Sequence, residues 1–193
     1  MLKLSRVLLA LLCASSVPAQ ADWYLDGESS RLSFIASQNG DTSWVHRFLV
    51  LHGKVDDAGA AQLRIEADSV FSGVPLRDER IRDHLLEAKQ HPDVTVQAKI
   101  DLQPIQDLAN GAQVELRLPL TVTVRGRQHR YEAPLLATRL DQRRFQVVTL
   151  EPVVLHAEDF GLVPGLDALR KLADIRSISP SVPVNAVLIF NAR

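Results

Sequence analysis

Between Gln113 and Val124 the chain reads QVELRLPLTVTV, and this stretch decides the fold class. Val114, Leu116, Leu118, Leu120, Val122 and Val124 alternate with Glu115, Arg117, Pro119, Thr121 and Thr123. Successive side chains of a β-strand point to opposite faces, so this alternation marks a strand with one dry and one wet face. Upstream, Val94-Thr95-Val96-Gln97-Ala98-Lys99-Ile100-Asp101-Leu102 keeps the same phase, with every even-numbered residue apolar. The segment between them, Pro104 through Asn110-Gly111, carries turn chemistry, so the two strands are expected to form a hairpin.

Working outward, further strands are expected at Arg31 to Ser37, Trp44 to Val55, Gln62 to Asp68, Tyr131 to Leu140, Phe145 to His156 and Val182 to Phe190. That makes about eight antiparallel strands at short spacing, the number at which a closed sheet either fills with side chains or holds one small ligand. Two segments break the pattern. RDERIRDHLLEAKQ, from Arg77 to Gln90, places Ile81 and Leu85 on one helical face before His91-Pro92 ends it. From Gly165 to Ala173, Leu166, Leu169 and Leu172 recur every third residue, suggesting a second short helix. The expected fold is all-β: an eight-stranded antiparallel barrel with one or two short helices.

At the N-terminus, Lys3 and Arg6 precede the apolar run Val7 to Leu12, and Ala19-Gln20-Ala21 fits a small-x-small cleavage rule. Residues 1–21 read as a signal peptide, too short in its apolar part to span a bilayer, and 22–193 as one domain. Cleavage of 21 of the 193 residues leaves 172, enough to bury a sizeable core. Lys3 and Arg6 leave with the peptide, so 20 basic residues face 23 acidic ones, a formal net charge of −3. No basic stripe with interleaved aromatics invites nucleic acid, and no later run reads as a transmembrane helix. The single cysteine, Cys13, lies in the removed segment, so the mature chain has no thiol and draws nothing from disulfides.

Catalytic signatures are missing. The sequence holds no G-x-S-x-G, no H-E-x-x-H and no glycine-rich phosphate loop. The six histidines, His46, His52, His84, His91, His129 and His156, form no ligand cluster by spacing; His46 and His52 would lie roughly 20 Å apart along one strand. Asp56-Asp57 and Glu158-Asp159 read as a turn and a surface edge. Neither a metal nor a catalytic residue is expected.

The stretch Asp68-Ser69-Val70-Phe71-Ser72-Gly73-Val74-Pro75-Leu76-Arg77-Asp78, followed by Leu85, Leu86, His91 and Pro92, resembles the central signature of the YceI-like polyisoprenoid-binding family. Val45-His46-x-Phe48 with Gly53, Leu120 to Gly126, and Asp159-Phe160-Gly161-Leu162 are similar to three further motifs of that family, in the same order. Ser72, Leu86 and His91 depart from the residues usual at their positions. The resemblance implies a lipocalin-like barrel, a periplasmic address, and an elongated apolar interior that takes a polyprenyl chain, quinone tail or fatty amide without transforming it. Phe34, Phe48, Phe71, Val96, Ala98, Ile100, Leu118, Val122 and Phe160 are the expected lining, with Arg77 as a polar contact for an anionic lipid head. No cofactor is implied beyond that lipid. Two other readings stay open, a quinone-presenting partner of a membrane b-type cytochrome and an empty-barrel envelope-stress protein, as does dimer formation.

N-terminal sequencing of protein exported to a bacterial periplasm checks the leader: Asp22 is expected first, whereas an acylated chain would start at Cys13.

Overall fold

The computed structural model describes residues 22–193; the expected signal peptide lies outside them. Twelve strand segments make one antiparallel sheet. They are β1 (Trp23–Leu25), β2 (Arg31–Gln38), β3 (Thr42–Phe48), β4 (Leu51–Val55), β5 (Ala60–Glu66), β6 (Val70–Phe71), β7 (Asp93–Lys99), β8 (Gln113–Val124), β9 (Arg127–Arg139), β10 (Arg144–Thr149), β11 (Val153–His156) and β12 (Ser181–Ala192).

Several segments are halves of one bent strand. β1 and β2 lie end to end along one side of β12, at Trp23↔Ala192 and Phe34↔Val184, while β10 and β11 do the same along its other side. β3 with β4, and β5 with β6, are likewise continuous ribbons interrupted by short breaks. Counting each ribbon once gives eight strands. Since β12 pairs with β10 and with β1, the sheet closes into a barrel.

Each strand expected from alternation is present, with shifted ends. Trp44 to Val55 is broken at Leu49-Val50, and Phe145 to His156 at 150–152, where Pro152 has no N–H for a ladder. The strand expected from Tyr131 begins at Arg127, because Arg125 (φ 49°) and Gly126 (φ 74°) turn the chain tightly out of β8. Both central residues with positive φ match the turn geometry that suits a twisted hairpin. β1 was not expected; three residues carry too little pattern. Between β7 and β8 the expected turn holds a single helical turn, Gln103–Gln106, after Leu102.

Connections alternate between the two ends of an antiparallel barrel. At one end lie the β2–β3 turn, the Arg125-Gly126 turn and two helical crossings. In the first crossing α1 (Pro75–Arg80) runs into a π-helical segment, Ile81–Leu86, which ends at Glu87 with φ 49°. The helix thus starts before and stops short of the expected Arg77 to Gln90. Hydrogen bonding five residues back turns Ile81 and Leu86 onto one buried face, which an α-helix would have separated. The second crossing passes through a 3-10 turn, Ala157–Phe160, before its helix. At the opposite end α2 (Gln103–Gln106) is pinned by Arg139, whose guanidinium donates to the Gln106 and Leu108 carbonyls, and buries Ile105 against Ala137 and Phe145.

The second crossing ends in α3 (Val163–Leu172), where Gly165 lets two helices touch: a Cβ there would sit 2.7 Å from the His84 carbonyl oxygen. No described helix is long and apolar enough to cross a membrane.

Tyr131 on β9 ties the 3-10 turn to the barrel. Its hydroxyl donates to Asp159 Oδ2 at 2.6 Å and accepts the His156 N–H at 3.3 Å. Burial, then the bond to Asp159, pushes its pKa up to about 12. A raised phenol pKa means the fold favours the protonated form. The bond's contribution is therefore full below pH 10 and lost as pH rises through about 12. Tyr131→Phe is expected to cost about 1–3 kcal/mol near neutral pH, and the difference in melting temperature from the parent should shrink across that alkaline window.

Candidate functional site

Inside the ring Val94, Val96 and Ala98 of β7, Leu118, Leu120, Val122 and Val124 of β8, Leu135 of β9 and the even-numbered residues Val182 to Phe190 of β12 share one space. Leu32, Phe34, Phe48, Leu63, Ile65 and Val147 join them. They enclose a cavity of about 310 Å³. Small side chains make the room: Ala61 faces Ala98 directly across the β5–β7 ladder, and both line the space, as does Ala186 on β12. Among the described residues no bulky side chain is wholly enclosed; the most completely buried residues are the alanines Ala67, Ala133 and Ala137. Large inward residues such as Phe34 and Phe48, 5.5 Å apart, pack beside one another along the wall and leave the space in front of them open.

The ends are plugged, not open wall to wall. Ile81, Leu85 and Leu86 of the π segment, Leu162 and Leu166 beside and within α3, and Phe160 close the helical end. Asp159-Phe160-Gly161 makes physical sense there. Asp159 anchors to Tyr131, Phe160 (2% exposed) turns inward, and Gly161 (φ 66°) lets the Arg127 guanidinium pack over it. Leu102 and Ile105 close the other end, near Trp23, which meets Phe145 edge to face at 4.6 Å.

Polar groups reach the lining only at its fringe, from Lys54, Gln62, Gln106, Thr149 and His156. Lys54 is held by Asp22 at 2.7 Å, and His156 Nδ1 by the Ser181 hydroxyl at 3.2 Å. No three His, Cys, Asp or Glu side chains converge on a metal position among the described residues. What this arrangement can do is take hydrocarbon out of water.

Eight of the ten residues singled out in the sequence line the cavity: Phe34, Phe48, Val96, Ala98, Ile100, Leu118, Val122 and Phe160. The other two do not. Phe71 pairs with Arg47 across β3–β6 on the outer face, 38% exposed, while its neighbour Val70 takes the inward position. The motif had selected Phe71; strand parity, which a two-residue strand conceals, sends it outward. Arg77 lies on α1, with its guanidinium 5.1 Å from the Trp44 ring and Nη1 3.4 Å from His46 Nε2. His46 is buried beneath, its ring edge-on to Phe34 at 5.2 Å. Burial, then the nearby guanidinium, lowers the imidazole's pKa against the opposing pull of Asp78, and keeps it neutral. Asp78, also buried, accepts the Ser72 N–H at 2.7 Å and so closes the turn before α1. Among the residues that sequence reading missed, Leu63 and Ile65 carry the same alternating signal on β5, as Val184 and Leu188 do on β12. Leu162 carries none and Leu166 only a helical period, because the docking of α3 is what turns them inward.

The family model of the YceI-like domain matches residues 23–190. Among solved structures, a polyisoprenoid binding domain from Saccharophagus degradans, implicated in plant cell wall breakdown, is 34% identical, covering 89% of this chain and 98% of its own, with a TM-score of 0.87. BcnA of Burkholderia cenocepacia, 16% identical over 86% of this chain and 98% of its own, shares the fold at a TM-score of 0.64. The YceI protein of Campylobacter jejuni does so at 0.51, with 15% identity over 77% of this chain and 84% of its own. A search of curated proteins finds no match. With the family model spanning nearly all the described residues and the closed barrel in place, this chain belongs to the YceI-like domain family.

Proposed function

We propose that the protein is a periplasmic carrier that holds one long-chain apolar lipid, of the polyisoprenoid or quinone-tail kind, inside the barrel and leaves it chemically unchanged. The observation that carries this reading is the 310 Å³ cavity with an almost purely apolar wall. Cavity coefficients near 24 cal/mol per Å³ put the cost of leaving it empty on the order of 7 kcal/mol. That is comparable with the whole stability of an ordinary domain, about 5–15 kcal/mol. An apolar void stays dry, so water offers no relief. A lipid chain does, at about 0.8 kcal/mol for each methylene buried, less the cost of ordering it.

The lipid class rests on the Saccharophagus degradans domain, whose identity to this chain extends over most of both proteins. The periplasmic address rests on the leader-like sequence of residues 1–21. Non-catalysis rests on the fringe of the cavity, where Lys54 and His156 are already engaged by Asp22 and Ser181.

Native mass spectrometry of protein exported to a bacterial periplasm, followed by solvent extraction, tests the reading. A discrete excess mass that extracts as a polyprenoid, quinone or other long-chain lipid is expected. Bare protein mass, unchanged after incubation with such lipids, would refute it. Ala98→Trp should fill the part of the cavity that Ala61 and Ala98 leave open in front of the β5–β7 ladder, cutting lipid occupancy at least tenfold while the delipidated variant melts no lower than the delipidated parent.

A further inference from the structure

Eleven large apolar residues are exposed among those described, and six fall between residues 44 and 76: Trp44, Val45, Leu49, Phe71, Val74 and Leu76. The fold draws them together. Arg47 and Phe71 are cross-strand partners, Leu49 N–H bonds the Ser69 carbonyl at the start of β6, and Trp44 reaches Arg77 on α1. Val74 and Leu76 flank Pro75 where that helix begins. Val45 is 69% exposed, Leu76 54% and Trp44 46%, so these residues form a surface around the free edge of β3, with Trp44 on its inner side against α1 and Val45, Arg47 and Phe71 on its outer side.

Charge is distributed over this surface in a particular way. Arg47 lies over the Phe71 ring at 4.9 Å and Arg77 over Trp44 at 5.1 Å. Neither guanidinium has a carboxylate within ion-pair distance among the described residues, a state they share with other arginines such as Arg31 and Arg117; what sets these two apart is that each lies over an exposed aromatic ring. β2 and β3 contain no Asp or Glu. Asp78 is buried on the Ser72 N–H, leaving Glu79 as the exposed acid of α1. The far end of the barrel is the reverse: its exposed groups include the paired Lys54–Asp22 and Arg144–Asp141, and none of the six apolar residues.

We infer that this face docks on the surface of an anionic phospholipid bilayer. Exposed Trp, Val, Leu and Phe enter the boundary between headgroups and acyl chains, while arginines held on aromatic rings sit level with the phosphates. Each such cation contributes about fivefold in affinity near an anionic membrane. The face also adjoins the cavity. β3 is hydrogen-bonded to β6 only through Arg47 and Phe48, so its segment Thr42–His46 has side chains of α1 in place of a neighbouring strand. Behind that seam lie Phe34 and Phe48, both in the cavity wall. The route from bilayer to barrel rests on the carrier reading; the docking does not.

The test is cosedimentation of the full mature protein with vesicles of phosphatidylcholine alone, or of equal phosphatidylcholine and phosphatidylglycerol. Binding to the anionic vesicles is expected, falling about fivefold in Arg47→Gln and at least tenfold in a Trp44→Ser, Leu76→Ser double variant. Val187→Ser, which removes an exposed apolar residue from another part of the wall, serves as the reference and should bind like the parent. Thermal melts of every variant confirm folding, and quenching of Trp44 by brominated lipid, compared with Trp44→Phe, reports insertion directly. No sedimentation, or equal sedimentation of parent and double variant, would overturn the docking. So would a stable dimer in sedimentation velocity that Val45→Ser dissociates, which would assign the face to a second copy. A double variant that stops sedimenting yet still extracts with lipid separates docking from cargo binding.

Discussion

The structure depends on one constraint: side-chain parity must stay consistent around a ring of eight strands. β12 meets β10 along one edge and β1 and β2 along the other, so an inward position on any strand fixes the inward positions on its neighbours. A single-residue slip would turn an apolar row to water and a charged row to the interior. Where the parity must change or a strand must bend, the chain breaks the ladder, at Leu49-Val50 and at the residues around Pro152. These bends give the barrel its elongated wall without opening its edges.

Closure leaves the question of what fills the inside. In a packed barrel the large inward residues would touch and be wholly buried. Here the alanines Ala61 and Ala98 face each other, and Phe34, Phe48, Val94, Val96, Leu120, Val184 and Leu188 stay partly accessible to the space in front of them. The helical segments serve this hollow. The π winding brings Ile81 and Leu86 onto one face, and Gly165 lets α3 settle on the carbonyl of His84, so a thin lid covers an opening that a strand turn could not. Tyr131 and Asp159 then hold Phe160 in place at the same end. The result is an apolar interior beside a surface whose exposed apolar side chains cluster around one strand edge.

Much of this was legible in the sequence, for a physical reason. The even-numbered residues of Val94 to Leu102 and of Gln113 to Val124 sit inside as their alternation requires, and Phe34, Phe48, Ala98, Leu118 and Phe160 all face the cavity. Phe71 and Arg77 do not. Phe71 belongs to a strand too short to display parity, and Arg77 to a helix whose rotation is set by its contacts with Trp44 and His46. β1 went unseen because three residues carry no pattern until β4 and β12 are brought beside them.

The sequence by itself determined the strands, their wet and dry faces, the two helical crossings and the absence of catalytic motifs, because those follow from nearest neighbours along the chain. The tertiary structure alone decided that the barrel is hollow, that its lid is a π segment against a glycine-bearing helix, and that apolar residues and ring-stacked arginines from three elements gather around the free edge of β3. Volume and surface depend on which side chains stand opposite one another across the ring. Those distances arise from contacts between residues far apart in sequence, such as Phe34 with His46 and Gly165 with His84, and no local pattern encodes them.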